Sequence, residues 1–371
     1  VPWLPALAGV TLESAEKTNR FLWDYWRARS LLWADFARTT RDWANRHGLL
    51  LYAELCYDHG KANPVEVFSQ VDVPMAENWV HRTPEQSRQP FAGTSKSSGI
   101  PATADFWGRN VCALEAFTCT FLTNPGMYRI HPGFLKRTGD GYLTSGFNRL
   151  ILHCYTHQPH DDRPGWVVYG NVFGRHQTWA EQARAWYLHV GRVQALLQQL
   201  PGVADVLAVE DEALGLFKFP DVIGHGVDAC PASALAQLSV RDGRVIGPTG
   251  KAYAALMLTT NRTPFEDRRM TPEVLRELTR LADAGAAIYD GGNKPSASPS
   301  LRDYPRCDEE AQRLAAALWD QGKIKKTGML AGLTPDIAGQ KNLSWSHRRG
   351  GDVDVYFLAN GAGIWAGEVK F

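Results

Sequence analysis

Between Gly9 and Gly48 the chain has neither glycine nor proline, and Leu22, Trp26, Trp33 and Phe36 recur near helical spacing with charged residues between them. The pattern predicts one long helix, or two in succession, stopped at His47-Gly48. A different rhythm follows. Residues 49–54 form an apolar run of the kind found in strands buried on both faces, and 71–75, 111–115 and 148–155 repeat it. Short helical stretches at 64–70, 101–109 and 134–146 separate these strands, and a polar Ser/Gly/Pro-rich loop covers 81–100. Thr178 with Glu181 has the form of a capping box, which predicts a helix running to about Gln199 and stopped by Pro201.

The second stretch has the same grammar. Strands are expected at 203–209, 254–258 and 286–289. The last two flank a helix with Thr271 as N-cap, Pro272 at its first position, Leu275, Leu278 and Leu281 on one face, and Gly285 as the stop. Residues 293–305 read as loop, and 353–358 as a late strand opening a β-rich segment. Apolar strands alternating with helices define an α/β protein with parallel sheets. A length of 371 residues suits two or three domains.

Charge and cysteine usage narrow the possibilities. Forty basic against 39 acidic residues leave no basic surface of the kind that nucleic acid or an anionic membrane requires, and no apolar run is long enough to span a bilayer. The six cysteines are scattered without zinc-type spacing and read as small buried hydrophobes. The chain starts at Val1 with no leader-like segment, as expected of a processed piece or part of something longer, so its compartment is unread.

The candidate chemistry lies at the strand ends, where loops and helix N-termini converge in parallel folds. The first strand ends at Glu54, the second runs into Glu77 and Trp79, and the third ends at Glu115. The fourth carries His153 and leads to His157. Carboxylates closing apolar strands are costly unless paired or used. Glycoside cleavage uses such a pair, one group protonating the leaving oxygen and the other activating water or attacking carbon. Trp79, Trp107, Trp166 and Trp179 suit stacking on sugar faces. The blander alternatives stay open: each glutamate as a salt-bridge partner, His153 as a core histidine, and His157, His160, Asp161 and Asp162 as a solvated loop rather than a metal site. Residues 224–229 fit GxGxxA, but Pro231 follows at once and no acidic residue falls on a strand about 20 positions on, so a dinucleotide site is rejected.

At these residues the chain resembles glycoside hydrolase family 106, the α-L-rhamnosidases. The resemblance runs through Trp3–Leu7, Arg20–Asp24, His47-Gly48, 52–54, Asp72–Met75 with Glu77, and Glu115–Thr118. It continues in Asn148-Arg149, His157–Pro159, Thr178-Trp179, Ala204–Val206, Ser298–Leu301 and His347-Arg348. It implies the C-terminal half of a (β/α)8 TIM-type barrel at 1–202, a small open α/β domain of flavodoxin or glutamine-amidotransferase type at 203–338, and the start of a β-sandwich domain at 339–371. It further implies an inverting, calcium-dependent bacterial enzyme, periplasmic or secreted, that removes terminal α-L-rhamnose from a carbohydrate partner. Glu115 corresponds to the water-activating base and Glu77 to a second essential glutamate; Glu54, Trp79, His153 and His157 fall to substrate binding. The family's general acid lies upstream of the strand ending at Glu54, so it is expected before residue 1 and the chain alone is expected to be inactive. Calcium ligands and oligomeric state are not legible. A β-galactosidase-like enzyme and a non-catalytic carbohydrate-binding protein are the alternatives.

Overall fold

The computed structural model describes residues 2–54, 63–80, 99–119, 128, 130–157, 159–160, 170–210, 212, 222, 224–259, 265–339, 343–360 and 365–371. Most of the expected 81–100 loop, together with Cys56, Asp161, Asp162, Trp166 and the Trp79 side chain, lies outside them. After a short 3-10 helix at Leu4–Ala8, the elements in chain order run α1 (Ala15–Arg46), β1 (Tyr52–Glu54), α2 (Pro64–Phe68), β2 (Val73–Trp79) and α3 (Ile100–Phe106). There follow β3 (Ala113–Thr118), α4 (Pro132–Thr144), β4 (Arg149–Leu152), α5 (Ala183–Gln199), β5 (Val206–Glu210) and β6 (Val227–Pro231). The short strands β7 (Ser239–Arg241), β8 (Arg244–Ile246) and β9 (Ala252–Tyr253) precede β10 (Ala255–Leu258), α6 (Pro272–Asp283), β11 (Ile288–Asp290), α7 (Arg306–Trp319) and β12 (Ile324–Lys326). A hairpin of β13 (Leu343–Gly350) and β14 (Val353–Asn360) completes the order.

The chain divides into two compact units, one of Val1–Leu51, Tyr57–Asp72 and Ala204–Asp336, the other of Tyr52–Cys56, Val73–Val203 and Ile337–Phe371. Contacts therefore group the long helix α1 with the later α/β segment rather than with the strands β1–β4 that follow it directly in sequence. Each unit is a mixed α/β fold built on a parallel sheet.

In the first unit the parallel sheet has the order β12-β11-β10-β5-β6. Strand β5 is buried throughout, and Leu275, Leu278 and Leu281 of α6 are fully buried at the periodicity expected. Thr271 caps α6, its hydroxyl accepting from the Val274 amide at 3.3 Å. Strand β6 starts at Val227, so Gly224 and Gly226 precede a strand instead of following one, the reverse of a dinucleotide loop. Helix α1 is tied down by charge. The buried Arg20 guanidinium donates to both Asp308 carboxylate oxygens at 3.0 and 2.8 Å, to Glu16 at 2.5 Å and to the Ser300 carbonyl at 2.9 Å. Asp24, one turn on, accepts from the Ser300 hydroxyl at 2.7 Å and the Leu301 amide at 2.8 Å.

The second unit holds the parallel sheet β1-β2-β3-β4. Helix α4 packs on it, with Gly139 facing the side chains of Phe117 and Leu150. Asn148 caps the entry to β3, its Oδ1 accepting from the Cys112 amide at 2.9 Å. The β13–β14 hairpin belongs to this unit, with buried Arg348 donating to Asp105 of α3 at 2.7 Å.

Two expectations need correction. Residues 49–54 are not a strand buried on both faces: only Tyr52–Glu54 pair, at the sheet edge, and Leu49, Leu50 and Tyr52 are exposed. The Thr178–Glu181 pattern does not cap α5, which starts at Ala183 after Gln182 with no side-chain cap, because 175–182 form tight turns. Helix α7 and strands β6, β12 and β13 were not anticipated.

Arg20→Ala takes from Asp308 its bidentate cation, leaving it the Ser298 amide, while Glu16 keeps Arg269. Loss of a buried ion pair costs about 3–5 kcal/mol, so the first unit of this variant should unfold at markedly lower urea concentration, read by denaturation followed through tryptophan fluorescence and circular dichroism.

Candidate active site

Side chains alternate along a strand, and residues paired across a parallel sheet point the same way. Glu77 pairs with Glu115, and Glu54 pairs with Met75, two residues before Glu77. All three carboxylates therefore share one face near the carboxyl edge. Glu115 also pairs with Ile151, which puts His153, two residues on, on that face as well. Intervening residues point to the helical side, as Asn78 does in accepting from the buried Tyr142 hydroxyl.

Strand β3 breaks its alternation at one point. Trp79 pairs with Thr118, so two steps along β2 match three along β3. The extra residue is accommodated at Phe117, whose φ of 67° lies in the left-handed region unfavourable to a bulky side chain. Such a conformation costs on the order of 1–3 kcal/mol. It is held by packing of the buried Phe117 ring against Tyr142, Phe173 and Trp186. The bulge turns Thr118 to the same side as Glu115.

A clamp results. The Thr118 hydroxyl donates to Glu115 Oε1 at 2.9 Å, and His153 Nδ1 lies 2.8 Å from the same oxygen and 3.0 Å from Thr118 Oγ1. With the threonine hydrogen directed at the carboxylate, the hydrogen between threonine and histidine comes from Nδ1–H, which leaves Nε2 as an acceptor in the neutral ring. Glu115 Oε2 has no hydrogen-bond partner among the described residues, and the side chain is 25% exposed. One oxygen is held and the other is open.

Glu54 feels its neighbours. Partial burial, followed by the charges of Glu115 and Glu77, pushes its carboxyl up to about 7. Among the described residues no group of three His, Cys, Asp or Glu side chains is placed to hold a metal ion. Burial pushes the Cys119 thiol up to about 11 and those of Cys112 and Cys230 up as well, in keeping with inert cysteines.

Of the residues singled out from sequence, Glu54, Glu77, Glu115 and His153 are brought together. Trp79 ends β2 beside Thr118, whereas His157 is exposed in the loop after β4 and makes no hydrogen bond to the cluster among the described residues. Sequence reading missed Thr118. It stands in the Glu115–Thr118 motif, but in a regular strand a residue three positions on faces the other way.

Carboxylates gathered at the carboxyl edge of a parallel α/β sheet are groups of the kind that glycoside cleavage uses. The family model described as Glyco_hydro_106, alpha-L-rhamnosidase, matches residues 1–364, and the chain belongs to that family of glycoside hydrolases. A Formosa agariphila protein provisionally named a beta-glucuronidase is 32% identical over 376 residues, spanning 97% of this chain and 30% of that protein. The solved rhamnosidase of Novosphingobium sp. PP1Y superposes with a TM-score of 0.79 at 28% identity, over 97% of this chain and 36% of its own. The beta-galactosidase of the psychrophilic Marinomonas ef1 shares the fold, with a TM-score of 0.51 at 14% identity over 83% of this chain and 49% of its own. The chain thus spans about a third of the length of the first two relatives.

Glu54 supplies a pH test. Its folded carboxyl holds a proton up to about 7 while the unfolded group releases it near 4.5, so the folded state binds more protons in that window and loses stability as pH rises through it. Glu54→Gln removes the penalty. The variant should match the parent near pH 4 and exceed it at pH 8, by on the order of 1 kcal/mol given solvent screening of a part-exposed group, measured by urea denaturation at both pH values.

Proposed function

We propose that the β1–β4 sheet is the second half of a (β/α)8 barrel and that its carboxylates serve an inverting α-L-rhamnosidase, with Glu115 as the general base. The observation that carries this reading is the clamp: Thr118, itself held by His153, donates to Oε1 of Glu115 and leaves Oε2, without a partner among the described residues, to a water. A base must accept a proton on one oxygen while its carboxylate plane stays fixed, and this arrangement does that. The hydrogen bond from Arg149 on β4 to the Tyr52 hydroxyl on β1, three strands away, supports a sheet curved about this face. Glu77, directly opposite Glu115, is the second essential carboxylate; His153 Nε2 and Trp79 contact the sugar, and His157 lies further out along the loop.

The proton donor is assigned to the protein preceding residue 1, at the ~6.5–9.5 Å separation that inversion requires. A calcium ion would suit vicinal sugar hydroxyls and carboxylate oxygens. The described residues do not form a calcium cage, so no step runs through the ion. Terminal α-L-rhamnose is the substrate class, in a glycan outside the cell or in the periplasm. The name of the Formosa relative makes a glucuronide the competing substrate.

In the protein that carries this chain, Glu115→Gln should reduce turnover of an aryl α-L-rhamnoside by at least ~10³-fold with unchanged circular dichroism. Retained turnover by Glu115→Gln refutes the assignment of the base; preferential hydrolysis of the aryl glucuronide refutes the substrate class.

Glu54 favours a second reading. A carboxyl that keeps its proton to about 7 beside Glu77 and Glu115 has the character of a general acid. Proton donation matters for poor leaving groups and little for good ones. If Glu54 is the donor, Glu54→Gln should slow 4-nitrophenyl rhamnoside hydrolysis by ~10²-fold or more while sparing the 2,4-dinitrophenyl substrate. Equal effects on both leave the acid upstream.

A further inference from the structure

Helix α1 is apolar on two opposite faces, and one of them lies open. The inner face is accounted for. Trp23, Ser30, Ala34, Ala37 and Ala44 are buried there, and helix α2 lies against it. The Asn63 amide that opens α2 donates to Ser30 Oγ at 2.6 Å, and Arg27 pairs with Glu66 of α2 at 2.8 Å.

The outer face reads differently. Leu32 is 69% exposed, Phe36 63% and Trp43 56%, with exposed Thr39 between the last two. Steps of four, three and four residues put all four in one line along the helix. At the helical rise the line is about 16 Å long. This is the spacing with which one helix seats against another. An exposed row of large apolar side chains marks a surface that something covers.

Charge and size narrow the choice of partner. Beside the row, Arg38 pairs with Asp35 and with Asp42, and Arg41 pairs with Asp42 at 2.8 Å. These charges are matched within the helix, so the row calls for an apolar surface. A stable pair of copies buries ~1,200–2,000 Å² in total, whereas four side chains along three turns expose on the order of a few hundred Å². An area of that size holds a helix that the same polypeptide already brings near, because tethering supplies the concentration a free partner lacks.

Chain order identifies that helix. In a β/α series each helix stands between the one before it and the one after it. Helix α2, the one after, occupies the inner face of α1, and the outer row falls to the one before. The chain spans 30% and 36% of its first two relatives, so proteins of this family have ample length to supply it.

We propose that Leu32, Phe36, Thr39 and Trp43 form a docking seam for an amphipathic helix of the longer protein, which precedes residue 1 and packs along α1. The seam rests on the (β/α) reading of the β1–β4 sheet and not on the role of Glu115.

Two measurements on the longer protein that carries this chain test it. With p-benzoylphenylalanine in place of Phe36, photolysis should crosslink α1 within one polypeptide, to a peptide that precedes residue 1. In the unsubstituted protein, hydroxyl-radical footprinting should find Phe36 and Trp43 oxidised at least ~10-fold more slowly than after unfolding in urea, as buried Trp23 is. A crosslink between isotopically distinct copies makes the seam a dimer contact and overturns the proposal. A crosslink to any other peptide overturns it as well, and so does oxidation of both residues at close to the unfolded rate. Footprinting needs no substitution, so the proposal is decided even where the Phe36 variant misfolds. A bare seam with Glu115→Gln inactive removes the helix and keeps the base; the expected crosslink with Glu115→Gln active does the reverse.

Discussion

A charge on a buried parallel strand is tolerable only where the strand leaves the sheet, and the second unit is organised around that constraint. Three successive strands bring a glutamate to the carboxyl edge on one face, and register makes them neighbours whatever the intervening loops do. Their mutual repulsion is only partly relieved: Glu115 gains the Thr118 hydroxyl as a donor with the His153 ring 2.8 Å away, whereas Glu54 answers by holding its proton. The bulge at Phe117 is the local device that supplies that donor. Without it, regular alternation would turn Thr118 toward the helices and leave Glu115 with His153 alone.

Legibility in the sequence followed the strength of local signals. Helix α6 was readable to within a residue because cap, proline, leucine face and stop all agree. The strand-end carboxylates were readable because each interrupts an apolar run. The edge strand was misread since Leu49 and Leu50 have core character but lie exposed before a strand of three residues. The Thr178–Glu181 pattern failed because a capping box is a four-residue signal that the turns at 175–182 override. The grouping of α1 was invisible for another reason. It rests on Arg20 and Asp24 meeting Ser300, Leu301 and Asp308, some 280 positions away, and no local pattern encodes a partner at that distance.

Those contacts also show what the family resemblance contains. Arg20–Asp24 and Ser298–Leu301 were matched as separate motifs and turn out to be two sides of one clasp. Asp72 accepts from the Leu51 amide and the Asn45 side chain, both at 2.8 Å, and thereby anchors the segments that lead into β1 and β2. His347-Arg348 fastens the hairpin, through the bond of Arg348 to Asp105 and that of the Val203 amide to the His347 carbonyl. A resemblance spread along the whole chain therefore mixes residues that do chemistry with residues that hold the frame. The two kinds share polarity and burial, and only geometry separates them.

That separation bears on Glu115 most directly. A framework carboxylate is satisfied on both oxygens, as Asp24 and Asp308 are, because any unmet oxygen in a partly buried place raises the energy of the fold. Glu115 departs from this rule in one specific way: the Thr118 hydroxyl donates to Oε1 with the His153 ring beside it, and Oε2, on the face that Glu54 and Glu77 share, has no hydrogen-bond partner among the described residues. A strained Phe117 is maintained to achieve it. Stability alone would favour a regular β3 and a paired or absent carboxylate. The bulge, the contacts at Oε1 and the second oxygen on the shared face fit the base role proposed for Glu115.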